Sequence, residues 1–249
     1  PCAGMQGMVI EAVPHQLPGY LFPYDAVLEA LAKAPRVLML CNPNNPTGTR
    51  LAPDRVLELA AAAPATLVVV DELYEAFTGD SVVPLADFAA LPNLLVLRSL
   101  AKTAGLAGLR IGFAIGHPEV VDRVSRVTGP YDVNSMAVTA AFAALADQPY
   151  TDAYVAEVAR ARNWLVSEMT RSGVRFHADG GNYLLIWPLR EVAVVDDALR
   201  AAGILVRSMA GKPQIDGALR VSVGTTEQMQ QFWAAYQQIE GLAPAASVR

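Results

Sequence analysis

The residues best suited to chemistry stand at the ends of apolar runs. Lys102 lies in RSLAKTAGLAGLRIG, Asp71 closes TLVVVD, and Asn45 sits inside NPNNPTG. Ala101, Ala104 and Gly105 give Lys102 no cover of large polar side chains. A lysine so placed at a sheet edge can act as a nucleophilic amine and form a Schiff base, while in isolation it reads as an ordinary solvated lysine. Asp71 follows apolar residues that would be buried on both faces, where an unpaired carboxylate is costly. It therefore needs a cation or donors: a helix cap, a core salt bridge, or a protonated ring nitrogen that it would keep protonated. Two prolines and a glycine stiffen NPNNPTG, so the Asn45 amide is presented at little entropic cost. Ser99 lies three residues before Lys102 and Arg110 eight after it. A hydroxyl and a guanidinium gathered at one loop can hold a phosphate dianion. The glycines at 105, 108 and 112 permit close backbone approach but are weak evidence on their own.

These groups need a scaffold that brings strand ends together. VIEAV, RVLML, TLVVVD, NLLVLRS and RIGFAIG read as strands, separated by helix-like AVLEALAK, PDRVLELAAAA and a less regular stretch around PLADFAALP. Apolar strands alternating with helices predict an α/β fold, a mostly parallel sheet with helices on both faces. Ligands of such sheets bind beyond the carboxyl ends of the strands, which selects Asn42 to Gly48, Asp71 to Tyr74 and Ser99 to Lys102. After HPEVVDRVSRV the segment GPYDVN breaks the pattern, and Asn134 caps an alanine-rich helix. The expected division is a large domain over residues 1–148, a smaller α+β domain over 149–241, and a frayed tail over 242–249. The second domain reads as a long helix from DAYVAEV, strands VRFH and NYLLIW, a helix around VVDDALRAAG, strands ILVRS and LRVSVG, and a closing helix.

With 249 residues, 53% of them hydrophobic, and a net charge of −5, the chain can bury a large core and lacks the basic balance of a nucleic-acid binder. No apolar run is long enough to span a membrane and no secretory leader is evident, so a cytoplasmic protein is expected. Cys2 and Cys41 are too few for a disulfide framework, and His15, His117 and His177 lack metal-ligand spacing.

NPNNPTG, DELY, SLAK followed by GLAGLR, and LRVSVGT occur in an order that resembles the fold type I pyridoxal-phosphate-dependent aminotransferases, most closely the histidinol-phosphate branch. The resemblance implies pyridoxal 5'-phosphate as cofactor, with Lys102 as the Schiff-base lysine and proton shuttle, and Asp71 as partner of the pyridine nitrogen. Tyr74 and Asn45 would hydrogen-bond the ring hydroxyl, and Ser99 and Arg110 would hold the phosphate. Arg220 is similar to the arginine that clamps the substrate α-carboxylate, Arg207 to a further arginine near the substrate's anionic tail, and Asn182 and Tyr183 to a segment lining the substrate side. The family implies a homodimer whose sites borrow residues from the partner, and GPYDVN is the candidate contribution.

In the family a long region precedes GMVIEAVP, with a mobile arm, a glycine loop that donates to the phosphate and an aromatic that stacks on the ring. This chain opens on Pro1 without it, so an N-terminally truncated enzyme is expected, and Leu73 stands where the family usually has alanine. The implied reaction interconverts histidinol phosphate and 2-oxoglutarate with imidazole acetol phosphate and glutamate. Aromatic-amino-acid aminotransferases and threonine-phosphate decarboxylases share the motifs. A non-catalytic module on the same fold would be expected to lose Lys102 or Asp71, and both are present.

Overall fold

The computed structural model describes residues 2–129 and 131–242, so the expected tail from 243 onward and Pro130 of GPYDVN lie outside the described residues. A helical turn, α1 (Cys2–Met5), leads through an extended stretch to α2 (Tyr24–Leu31) and then β1 (Val37–Cys41). α3 (Pro53–Ala62) carries the chain to β2 (Leu67–Asp71), followed by β3 (Leu94–Ser99) and β4 (Gly112–Gly116). β1, β2 and β3 are parallel neighbours, and β4 pairs antiparallel with β3. Strand alternation sends Leu40, Val68, Val70, Leu94 and Val96 to one face, where they pack on Val27 and Leu31 of α2 and Val56, Leu59 and Ala60 of α3. Each such buried Val or Leu contributes about 1.5–3 kcal/mol, and Leu59→Ala would cost about 2–5 kcal/mol. Cys41, Asp71, Leu97 and Ser99, one residue out of phase, belong to the other face.

Two expected elements are absent from this half. VIEAV is not a strand: residues 8–15 pair with no neighbour, and Val9 and Ile10 are exposed. Apolar alternation makes a strand only where a partner supplies the ladder hydrogen bonds, and none runs beside it among the described residues. PLADFAALP forms turns, because the Asp87 carboxylate accepts from the N–H groups of Ala89 and Ala90 and so competes with a helical ladder.

α4 (Pro118–Ser125) starts on His117, whose Nδ1 accepts from the Glu119 N–H, and α5 (Ser135–Ala146) starts on Asn134, whose Oδ1 accepts from the Ala137 N–H at 2.8 Å. α6 (Gln148–Arg171) follows at once, capped by Asp147. The second sheet is antiparallel, in the order β5 (Arg175–His177), β6 (Tyr183–Trp187), β8 (Leu219–Ser222), β7 (Arg207–Ser208). The run ILVRS thus yields only two paired residues. α7 (Val192–Ala201) and α8 (Thr226–Glu240) join α6 on this sheet. Val158, Ala161, Leu165 and Met169 recur at helical spacing along α6 and meet Leu184, Ile186, Phe232, Trp233 and Tyr236. A capping box between Thr225 and Gln228 opens α8, and left-handed Gly241 ends it. Among the described residues no helix is long and apolar enough to cross a membrane.

The two sheets meet at a glycine contact. The Gly180 N–H donates to the Gly48 carbonyl at 2.9 Å, and a Cβ on Gly48 would sit 2.6 Å from the Gly180 backbone. Only a residue without a side chain fits there, and the φ of +78° at Gly48 enforces the same choice.

Candidate functional site

The loop after β1 is held shut at its base. Buried Asn42 donates through Nδ2 to the Leu51 carbonyl and accepts through Oδ1 from the Leu51 N–H, both at 2.8 Å. Within the loop, Asn44 Nδ2 donates to Thr47 Oγ1 at 2.8 Å, and the Asn44 carbonyl accepts from the Gly48 N–H. These bonds leave the exposed Asn45 side chain free to reach Tyr74, to whose hydroxyl its Nδ2 donates at 3.2 Å. The two groups expected to share one ring hydroxyl thus lie within hydrogen-bond distance of each other.

Tyr74 is buried beyond the end of β2, and burial raises the pKa of its phenol above the ordinary tyrosine value while the Arg220 guanidinium opposes that rise. It keeps its proton near neutral pH and can donate. Lys102 Nζ lies 5.8 Å from the centre of the Tyr74 ring. Tyr183, at the start of β6, meets Tyr74 at right angles, 85° between planes and 4.8 Å between centroids. Its hydroxyl donates to the Asn44 carbonyl at 2.7 Å, and the Arg220 guanidinium lies over its ring at 4.6 Å. Burial also pushes the Tyr183 phenol up. Lys102, Tyr74, Asn45, Tyr183 and Arg220 thus form one contiguous group drawn from both sheets.

Asp71 sits across the β1–β2 ladder from Cys41, and its Oδ1 accepts from the Leu73 N–H at 3.0 Å. Among the described residues no ion pair involves Asp71, Arg207 or Arg220. Arg207 and Arg220 are directly paired residues of β7 and β8, which sets two guanidinium-bearing side chains side by side with no carboxylate between them. Among the described residues the buried Arg220 Nε has no hydrogen-bond partner. An unsatisfied buried cationic donor is costly, so this point favours an anion. Arg207 is exposed, and the Asn182 side chain is half-buried beside Tyr183 while its carbonyl accepts from the Val223 N–H.

Ser99 closes β3, and Arg110 follows the short turn that precedes β4. The Ser99 hydroxyl donates to the Ile111 carbonyl and accepts from the Ala101 N–H, both at 3.1 Å, so its proton is already engaged and must turn to serve a phosphate. Exposed Arg110 has left-handed backbone, φ 56°, and spends one N–H on the Ala107 carbonyl, leaving its other donors open. Cys41, which the apolar run VLMLC suggests as a buried thiol, is exposed where it closes β1.

Sequence reasoning missed Glu72. Its side chain is fully buried and receives Arg98 Nε at 2.9 Å, the Ser81 hydroxyl at 3.0 Å and the Val82 N–H at 2.7 Å, while Arg98 also pairs with Glu75. The available signal was alternation: Glu72 is one step out of phase with Asp71, as Arg98 is with Ser99, so the two belong to the side away from the loop cluster.

A family model described as aminotransferase class I and II matches residues 2–235. The chain belongs to the class I and II aminotransferases. Among curated aminotransferases it is 36% identical over 214 residues to histidinol-phosphate aminotransferase 2 of Nitrosospira multiformis, covering 84% of this chain and 54% of that one. The crystal structure of the Sinorhizobium meliloti histidinol-phosphate aminotransferase, in complex with pyridoxal-5'-phosphate, shares its fold with a TM-score of 0.85 at 24% identity, over 96% of this chain and 66% of that one. L-threonine-O-3-phosphate decarboxylase from Porphyromonas gingivalis aligns with a TM-score of 0.72 at 27% identity, over 81% of this chain and 63% of that one. The chain spans 54–64% of the length of the first curated aminotransferases it matches. The expected α/β aminotransferase fold is therefore the fold of this chain.

Proposed function

We propose that the protein is a pyridoxal-phosphate-dependent transaminase that interconverts histidinol phosphate and 2-oxoglutarate with imidazole acetol phosphate and glutamate. The observation that carries this reading is the pair of unmatched charges around Tyr74 and Lys102: a carboxylate without a cation at Asp71, and a buried guanidinium nitrogen without an acceptor at Arg220. These donors and acceptors fit the cofactor. Asp71 would hold a cationic ring nitrogen, Asn45 and protonated Tyr74 the ring oxygen, and Ser99 and Arg110 the phosphate. Bound there, pyridoxal 5'-phosphate supplies the electron-withdrawing ring that makes a substrate α-proton labile.

The chain's own residues supply the rest. Lys102 anchors the cofactor and, once its amine is free, carries the proton to and from the α-carbon. Arg220 clamps the substrate carboxylate, and Arg207 beside it serves a second anionic group, which suits a phosphorylated amino donor and a dicarboxylate acceptor in turn. Asn182 and Tyr183 border that side. Relatives named histidinol-phosphate aminotransferase at 34–36% identity support the substrate choice.

The same reading makes residues 1–148 the large domain and 149–241 the small one, in a cytoplasmic homodimer. Support for a partner of the same sequence comes from α5, which exposes Met136 at 76% and Phe142 at 72%, with Leu145 also exposed. Incubation of the cofactor-supplied protein with histidinol phosphate and 2-oxoglutarate tests the activity. Glutamate is expected. Carbon dioxide released from threonine phosphate, with no glutamate from the first mixture, would overturn transamination in favour of decarboxylation.

A further inference from the structure

Arg220 must hold its guanidinium in one place although no carboxylate of the described residues pairs with it. The face of Tyr183 lies 4.6 Å away, with the Tyr74 hydroxyl also beside the guanidinium. A cation over an aromatic face is attracted by the ring quadrupole, and the attraction grows when the pair is desolvated. Tyr183 is 1% exposed, so its ring is a fixed surface and not a mobile side chain. Three neighbours fix it further: the Tyr74 ring, the Asn44 carbonyl that accepts its hydroxyl, and Gly181, where a Cβ would lie 2.7 Å from the ring. Gly181 has a φ of +86°, and its carbonyl and that of Asp179 accept from Arg162 of α6, so the bend that admits the ring is itself held from behind.

We propose that Tyr183 is the positioning residue of this site: its ring fixes the Arg220 guanidinium while its hydroxyl tethers the Asn42 to Gly48 loop through Asn44. The two functions use different parts of one side chain. The ring belongs to the second sheet's anion clamp, and the hydroxyl bond reaches the first sheet's loop, from which Asn45 meets Tyr74. One residue thereby keeps the clamp and the Asn45–Tyr74 pair in register. The proposal rests on the transaminase reading only for the identity of the anion.

Nuclear magnetic resonance on arginine-labelled protein tests it without turnover, with Arg220→Lys assigning the Arg220 Nε–H signal. In the wild type that signal is expected to be displaced by the Tyr183 ring current and to move on titration with 2-oxoglutarate. Tyr183→Phe should keep the displacement and the affinity but speed amide exchange at Asn45 and Gly48 by about three- to tenfold, the range of one lost hydrogen bond. Tyr183→Leu should abolish the displacement and weaken 2-oxoglutarate binding by about tenfold. An undisplaced wild-type signal, a Phe variant that alters the Arg220 signal or leaves loop exchange unchanged, or a folded Leu variant that binds with wild-type affinity would overturn the proposal. If the wild type binds no 2-oxoglutarate, the substrate reading fails separately. The Arg220 signal and the loop exchange in Tyr183→Phe then decide the positioning role alone.

Discussion

Asp71 and Glu72 are consecutive acids with opposite fates. Glu72 turns into the first sheet's packed side, where Arg98, Ser81 and the Val82 N–H satisfy it completely. Asp71 turns to the loop side with a single backbone donor and, among the described residues, no cation. The arginines divide in the same way: Arg98 is matched by Glu72 and Glu75, and among the described residues Arg220 has a buried nitrogen with no acceptor. One side of the strand ends is closed electrostatically; the other is left open, as the proposed cofactor and substrate site requires. A carboxylate in an aminotransferase motif is therefore not by itself a cofactor ligand, because what separates the two acids is whether the fold has already supplied their partner.

Substitutions on the two sides should separate activity from stability. The largest effect is expected at Lys102: Lys102→Ala should cut glutamate formation by at least about 10²–10⁴-fold, the range of a lost proton-transfer group, while the urea midpoint barely moves. Glu72→Ala should do the reverse, lowering unfolding free energy in urea by about 3 kcal/mol, since Arg98 keeps only Glu75 and Ser81. A Glu72→Ala variant as stable as wild type would erase the distinction between the sides. Asp71→Asn sharpens it. Without cofactor its stability should stay within about 0.5 kcal/mol of wild type, whereas the cofactor should stabilise it less than the wild type in a thermal melt. Loss of stability in the cofactor-free variant would mean that Asp71 is structural after all.

The smallest effect is expected at Glu157 of α6. The Thr226 N–H, then Arg160, holds its carboxyl at about 2 against an ordinary 4.5. A carboxyl depressed in the folded state stabilises fully above its unfolded value, and that contribution fades as pH falls from about 4.5 toward 2. Glu157→Gln should therefore flatten the acid limb of a stability-versus-pH curve slightly and leave the neutral limb's slope unchanged.

Much of this division is legible in the sequence. The runs ending at Cys41, Asp71 and Ser99 are strands, and their order puts Asn45, Asp71 and Lys102 beyond the carboxyl ends of neighbouring parallel strands. Asn134 caps its helix as its type and position suggest. Periodicity failed where pairing or local bonding decides the outcome: VIEAV alternates but has no partner strand, and Asp87 diverts the N–H groups that a helix at PLADFAALP would need. The partner of Glu72 also escaped notice, since an ion pair between successive strands leaves no mark beyond the phase of alternation.

The sequence by itself determined the family, the strands from RVLML to RIGFAIG and the loops that carry Asn45, Asp71, Ser99, Lys102 and Arg110, because local propensity and motif order suffice there. Only the tertiary structure decided that Tyr183 and Arg220 of the second sheet meet Tyr74 and Asn44 of the first. Those contacts depend on the glycine backbones of Gly48 and Gly180 approaching closely enough to join the sheets, a matter of packing between segments remote in sequence that no local pattern encodes.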